Sequence, residues 1–291
     1  MKTLCLFASY FSRRDIPYYI TIYLNELKKY YGDIIFLTSE KHLSEKSNEF
    51  LKGENISYLL VENRGFDFGQ WYQAIQKVNL EKYDRLVLVN DSCILFRSLN
   101  EFTYWAANSH ANVKGITGSD AIYPHIQSYF LVFDKKAMLL AKAYFEKNKI
   151  LETISEVIST YEVGLSKYLK ENGMQLAAFI DNNGYSGEFS PYYMCVDYHL
   201  SKGIPMIKKK IIFSSYRKPE LFTLARMNFN INPEYYLEKI SKYKSDLIID
   251  LDKLRKQKKS LSLFEIVKYN FIRKFIQVFR PIYKRLTIAI L

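Results

Sequence analysis

Four short segments carry residue types that could do chemistry together. The first is Glu62-Asn63-Arg64-Gly65-Phe66-Asp67-Phe68-Gly69-Gln70-Trp71. Gly65 and Gly69 allow a sharp turn or a close backbone approach to a ligand. The amides of a helix start can hold phosphate oxygens, and Arg64 can pair with them bidentately. The segment is neither GxGxxG nor a P-loop, and the same residues would also serve a plain loop with Asp67 as a helix N-cap. The second is Asn90-Asp91-Ser92, where a carboxylate just past an apolar strand can face a metal or a ribose, and where a turn is the alternative. The third is His125-Ile126-Gln127-Ser128-Tyr129-Phe130, whose His125 and Gln127 can hydrogen-bond a sugar or phosphate or be spent on nearby backbone carbonyls. The fourth is Tyr161-Glu162-Val163-Gly164-Leu165-Ser166. A carboxylate at the edge of an apolar helix face suits a general base, because desolvation raises proton affinity. An ion pair with Lys167 or Lys170 is the other use of Glu162.

These segments need a scaffold, and the apolar patterning predicts one. Strands are expected at Thr3–Ser9, Ile34–Thr38, Ser57–Glu62, Arg85–Val89, Val113–Thr117, Ser128–Asp134 and Ala177–Ile180. Helices are expected at Pro17–Tyr30, Phe68–Val78, Leu99–Asn108 and Lys135–Asn148. Near-continuous apolar strands alternating with helices require a mostly parallel sheet covered on both faces, hence an α/β fold. In that arrangement the first two segments fall at the carboxyl edge of the sheet, where open α/β folds bind ligands. A helix pair follows, its apolar stripe running through Leu151, Ile154, Ile158, Tyr161, Leu165 and Tyr168.

Composition narrows the classes. With 291 residues, 48% hydrophobic and 25% charged, the chain is long enough for a substantial core and is not a disordered type. No uncharged apolar run reaches the roughly 18 residues of a membrane span, and the N-terminal stretch reads as a first strand rather than a signal peptide. Cys5, Cys93 and Cys195 form no CxxC and cannot all pair, so a disulfide framework or structural zinc site is not expected and a reducing cytosol fits. Four histidines (His42, His110, His125, His199) argue against a three-His zinc site.

Taken in order, ENRGFDFG, NDS, HIQSYFLVF, YEVGLSKYLKENG and KGIPMIKK resemble the rhamnan synthesis protein F family, glycosyltransferase-like proteins of bacterial surface-polysaccharide assembly. The resemblance runs from about Leu59 to Phe213. It implies a GT-A-like fold, with one nucleotide-binding sheet flanked by helices and an acceptor-binding half after it. By that resemblance Ser9, Asn63, Arg64, Gly65, Asp67, Asn90 and Asp91 would contact a nucleotide-sugar donor. Asn90 and Asp91 stand in the place of the Asp-x-Asp motif that carries Mn²⁺ or Mg²⁺, with one carboxylate where two are usual. His199 would complete the metal shell with Asp91. Glu162 stands where inverting enzymes carry their base. His125, Gln127, Lys208 and Arg217 are candidates for the acceptor or diphosphate, with Lys209 an equal choice beside Lys208. The resemblance suggests dTDP-rhamnose as donor, although nothing in the residues selects the sugar. A non-catalytic assembly protein on the same scaffold is the alternative, and the single Asp of NDS supports it.

The charge is uneven. From Lys253 onward there are eleven Lys or Arg and one acid, Glu265, a balance of +10 out of the chain's +12. Phe264, Val267, Phe271, Phe275, Val278, Ile282 and Leu286 form one helical stripe, with Arg273, Arg280 and Lys284 opposite and Pro281 expected to bend or interrupt it. Apolar and cationic faces together describe an interfacial helix on an anionic membrane, although such a helix can also pack on a protein. No nucleic-acid recognition motif accompanies the charge. The expected organisation is a GT-A-like domain over 1–240, a charged connector over 241–260 and a basic amphipathic helix over 261–291. Together these place a peripheral enzyme, with a lipid-linked glycan as acceptor, at the cytoplasmic face of the inner membrane.

Overall fold

The computed structural model describes residues 1–11, 13–120, 123–181, 196–212 and 218–231. Arg217, Cys195 and the whole of 241–291 therefore lie outside the described residues. The elements are β1 (Thr3–Ala8), α1 (Tyr18–Lys28), β2 (Asp33–Thr38), α2 (Glu45–Gly53), β3 (Ser57–Leu60), α3 (Phe66–Lys77), β4 (Arg85–Asn90), β5 (Cys93–Leu95), α4 (Asn100–Asn108), β6 (Val113–Ser119), β7 (His125–Ile126), β8 (Phe130–Asp134), α5 (Lys135–Asn148), α6 (Ile154–Val157), a π-helical segment (Ile158–Gly164), α7 (Leu165–Glu171), β9 (Leu176–Ile180) and β10 (Met206–Lys208). Short helices Val196–Ser201, Lys209–Ile212 and Lys218–Phe229 follow or flank β10.

The main sheet runs β3-β2-β1-β4-β8-β6-β7, with β9 also paired to β6. The first four strands are mutually parallel, β8 runs antiparallel to β4 and β6, and β9 is parallel to β6. The expected α/β class, with a mostly parallel sheet flanked by helices, is therefore what the chain forms.

Alternation along the strands sends side chains to two faces. Leu4, Leu6 and Ala8 of β1 and Leu86 and Leu88 of β4 join Trp71, Ala74 and Ile75 of α3 and Ala137, Met138, Ala141 and Phe145 of α5 in one core. Phe7, one step out of phase, meets Tyr23 of α1 edge-on at 5.2 Å on the other face. Burying each such large apolar side chain contributes about 1.5–3 kcal/mol, and the helices on the two faces keep LVLV from water.

Two local irregularities position the candidate site. Between Ile126, which pairs with Gly118, and Leu131, which pairs with Gly115, β7 and β8 hold four residues where β6 holds two. The excess forms a bulge at Gln127-Ser128-Tyr129, so β8 starts at Phe130 rather than at the expected Ser128. Bulges re-aim side chains and cluster near active sites. The second irregularity is the π-helical segment between α6 and α7. Its wider turn shifts the helix face. The buried apolar residues are consequently Val157, Tyr161, Val163, Leu165 and Leu169, whereas Ile154 and Ile158 of the expected stripe are exposed. Helix α2 and strands β5, β7 and β10 were not foreseen. α2 carries only two buried residues, Ser47 and Leu51, and the strands are two or three residues long, so none has a readable period.

Candidate active site

The strand order 3-2-1-4 reverses direction between β1 and β4, and crevices at such switch points, outside the carboxyl ends of the strands, are where open α/β sheets bind ligands. Two expected residues meet there. Ser9 follows β1, and Asp91 follows β4. The Asp91 amide donates to the Ala8 carbonyl at 3.2 Å. Asp91 Oδ2 accepts from Tyr19 Oη at 2.9 Å, from Lys209 Nζ at 3.2 Å and from Ser9 Oγ at 3.4 Å. Ser9 is itself clamped, since its amide donates to Gln70 Oε1 at 3.0 Å and its carbonyl accepts from Gln70 Nε2 at 3.1 Å. Ser9 is fully buried, with its hydroxyl on Asp91.

Asn90 joins this loop to the first segment. Its Nδ2 donates to Asp67 Oδ2 at 2.6 Å, while its Oδ1 accepts from the Ser92 amide at 3.1 Å and from Ser92 Oγ at 2.6 Å. Turn chemistry and site chemistry thus use opposite ends of one amide. Helix α3 begins at Phe66, two residues earlier than expected, and its cap is Gly65 rather than Asp67. Gly65 and Phe66 both have positive φ, 69° and 56°. Such strain in a non-glycine residue persists only where the surroundings enforce it. Here a methyl group on Gly69 would overlap the Arg64 carbonyl oxygen, so the turn closes only on glycine. The Asp67 carboxyl is raised to about 7, chiefly by burial and then by the negative charges of Asp91 and Glu162, against the opposing pull of Lys209 and the Asn90 hydrogen bond. Asp67 therefore lies within electrostatic reach of all three other charged residues.

Glu162 lies in the π-helical segment and uses neither Lys167 nor Lys170. Lys167 pairs with Glu171, and Lys170 donates to the Pro124 carbonyl. Its Oε1 accepts from the Ser128 amide at 3.2 Å and from Ser128 Oγ at 3.4 Å, so the bulge fixes one carboxylate oxygen. The same bulge reaches β4, because the Asn90 amide donates to the Tyr129 carbonyl at 3.3 Å.

Other expected residues are placed differently. The exposed guanidinium of Arg64 points to Glu152, with Nη2 and Nε donating to Oε1 at 2.6 and 3.0 Å. Asn63 is exposed in the same loop. Gln127 is buried and accepts from Thr117 Oγ1 at 2.7 Å. His125 shares a 2.7 Å bond with the Tyr123 carbonyl and lines a separate cavity of about 330 Å³ with Ser119, Asp120 and Lys170. Lys208 lies over the Tyr129 ring at 5.8 Å. His199 is 1% exposed, and burial lowers its pKa to about 4. The residues that sequence reasoning passed over are Tyr19, Gln70 and Ser128. The only signal for Gln70 was a lone amide among Phe68, Trp71 and Ala74 on the buried face of α3, and Tyr19 looked like one more apolar residue of α1.

The fit to a divalent ion is poor. Among the described residues no three His, Cys, Asp or Glu side chains form a group that could hold a metal. The one carboxylate in the Asp-x-Asp position already receives three donors on Oδ2, one of them an ammonium. A divalent ion on the other oxygen would lie beside that ammonium, like charge against like charge.

Comparison with known proteins gives one family. The one described as Rhamnan synthesis protein F matches residues 34–291. No curated protein matches the chain. Similar solved structures include a putative nucleotide-diphospho-sugar transferase from Desulfovibrio desulfuricans G20 (14% identity, TM-score 0.43, 81% of this chain and 99% of that one). A cytidylyltransferase from Leptospira borgpetersenii (14%, 0.38, 85% and 97%) and S. aureus TarS 1-349 (12%, 0.37, 62% and 61%) are others.

Proposed function

Because the chain belongs to the rhamnan synthesis protein F family, which supports a glycosyltransferase-type role, we propose that it is an inverting glycosyltransferase that moves a sugar from a nucleotide-diphosphate donor to a lipid-linked cell-surface glycan. The observation that carries this reading is the meeting of Asp91, Ser9, Asn90 and Asp67 at the β1–β4 switch point, with the Glu162 charge acting on Asp67. The donor diphosphate enters that crevice. Glu162 takes the proton of the acceptor hydroxyl on its second carboxylate oxygen, the first being held by Ser128. The acceptor oxygen forms its bond to the anomeric carbon from the face opposite the diphosphate. The bond to the diphosphate oxygen breaks, and that oxygen leaves with the electron pair. No covalent enzyme intermediate is needed, and the charge that develops on the diphosphate is met by fixed positive groups. Rhamnose is the sugar we favour, on family grounds alone.

Among the described residues no helix is long and apolar enough to cross a membrane. We assign the anionic membrane surface to residues 261–291 and the reaction to the cytoplasmic face of the inner membrane, from the apolar stripe and basic opposite face of that segment. Cosedimentation with vesicles containing anionic lipid, lost on deleting 261–291, tests this. The catalytic reading is tested by transfer from a panel of nucleotide sugars to lipid-linked acceptor. Glu162→Gln should abolish transfer while nucleotide still binds; surviving turnover removes Glu162 as the base. The alternative, a non-catalytic assembly protein, is favoured by Arg64 being spent on Glu152, and it predicts no transfer from any donor.

A further inference from the structure

We propose that Lys209 is the cation of the donor site and that this protein grips a nucleoside diphosphate without a divalent ion. The inference rests on the glycosyltransferase reading above and concerns the same crevice. Lys209 is placed by the backbone: β10 pairs antiparallel with β5, setting Lys208 opposite Cys93, and the Lys209 amide donates to the Ser92 carbonyl at 2.9 Å. Lys209 thus leaves a strand fastened to the turn that carries Asp91, although the two are 118 positions apart. Its ammonium lies 3.2 Å from Asp91 Oδ2 and 2.9 Å from Tyr19 Oη, and its side chain is 12% exposed. The Tyr19 ring lies under it, 4.9 Å from centroid to Nζ.

An ammonium carries three N–H donors. Asp91 and Tyr19 take two, which leaves one for a phosphate oxygen arriving at the switch point. A divalent ion on the other oxygen of Asp91 would sit beside the ammonium already held on Oδ2, a like charge in a poorly solvated place. The crevice therefore takes one cation there, and the chain supplies it. Asp91 then acts as a positioning residue that holds the lysine by charge, and one carboxylate suffices where a metal site would call for more.

The test is isothermal titration of the full chain with dTDP, UDP and GDP, each in EDTA and in Mn²⁺. The best of the three should bind in EDTA within about threefold of its Kd in Mn²⁺, and Lys209→Ala should weaken it about tenfold or more under both conditions, with partial recovery in Lys209→Arg. Binding that appears only with Mn²⁺, or a Lys209→Ala protein that binds as the wild type does, overturns the assignment but leaves the glycosyltransferase reading standing. Binding of none of the three under either condition overturns both. The wild-type comparison needs no variant, so it decides even if Lys209→Ala does not fold.

Discussion

The ring of Phe68 stacks on that of Tyr161, with centroids 5.1 Å apart and planes 13° from parallel. Each ring is the chain neighbour of a candidate-site carboxylate, Asp67 before Phe68 and Glu162 after Tyr161. Phe145 stacks on the same tyrosine at 5.0 Å, and the tyrosine hydroxyl donates to the Lys149 carbonyl. Helix α3, helix α5 and the π-helical segment are thereby pinned at one point, and the spacing of the two carboxylates follows from it. Tyr161→Ala should destabilise the fold by about 3–5 kcal/mol in urea unfolding. Tyr161→Phe, which loses only the hydroxyl bond, should cost about 1 kcal/mol. Equal losses in the two variants would show that the stack contributes little.

Ser128 is the hand that holds Glu162. Removing its hydroxyl leaves the amide donor in place, so Ser128→Ala should lower kcat by roughly 3–10-fold, the worth of about one hydrogen bond, with KM for the donor near the wild-type value. A change confined to KM would put Ser128 in substrate binding instead.

Two carboxyl groups give stability opposite dependences on pH. Asp67 has its folded pKa raised from 3.8 to about 7, so the native state binds its proton more tightly than the unfolded chain does. Its contribution is complete below about pH 4 and is lost as pH rises through 7. For Glu26, burial alone would raise the pKa, but hydrogen bonds from Lys29, Ser98 and the Leu99 amide, with the charge of Lys29, bring it below the ordinary 4.5. Its contribution is present above 4.5 and fades as pH falls through the lowered value. Asp67→Asn should flatten the decline of Tm between pH 5 and 8 without touching the acid limb, and Glu26→Gln should do the reverse. An unchanged Tm profile in Asp67→Asn would show that the carboxyl is ordinary.

Gly69 tolerates no side chain, because the Cβ would meet the Arg64 carbonyl oxygen, a backbone atom with no rotamer to yield. Gly69→Ala should destabilise by about 1–3 kcal/mol and loosen the turn before α3. Circular dichroism melts measure the first effect. A melt within one degree of the wild type would mean that the turn relaxes freely.

What the sequence determined by itself was the set of elements whose physics is local. LVLV must be covered on both faces wherever it lies, and the helix expected over Lys135–Asn148 is α5, where the Asp134 side chain caps the first turn. The four chemical segments and KGIPMIKK, in their order, were also legible, and these five carried the family. The tertiary structure decided which of their side chains meet. That Asn90 bonds Asp67, that Lys209 rather than Lys208 reaches Asp91, and that Arg64 turns to Glu152 depend on strand order and on pairings between residues 23 to 118 positions apart. A one-residue step along β10 sends one lysine toward the Tyr129 ring and the next into the crevice, and no periodicity in the chain encodes where that strand docks. The π-helical turn acts likewise on Glu162: one extra residue per turn rotates the face, and only packing against Phe68 and Phe145 selects it.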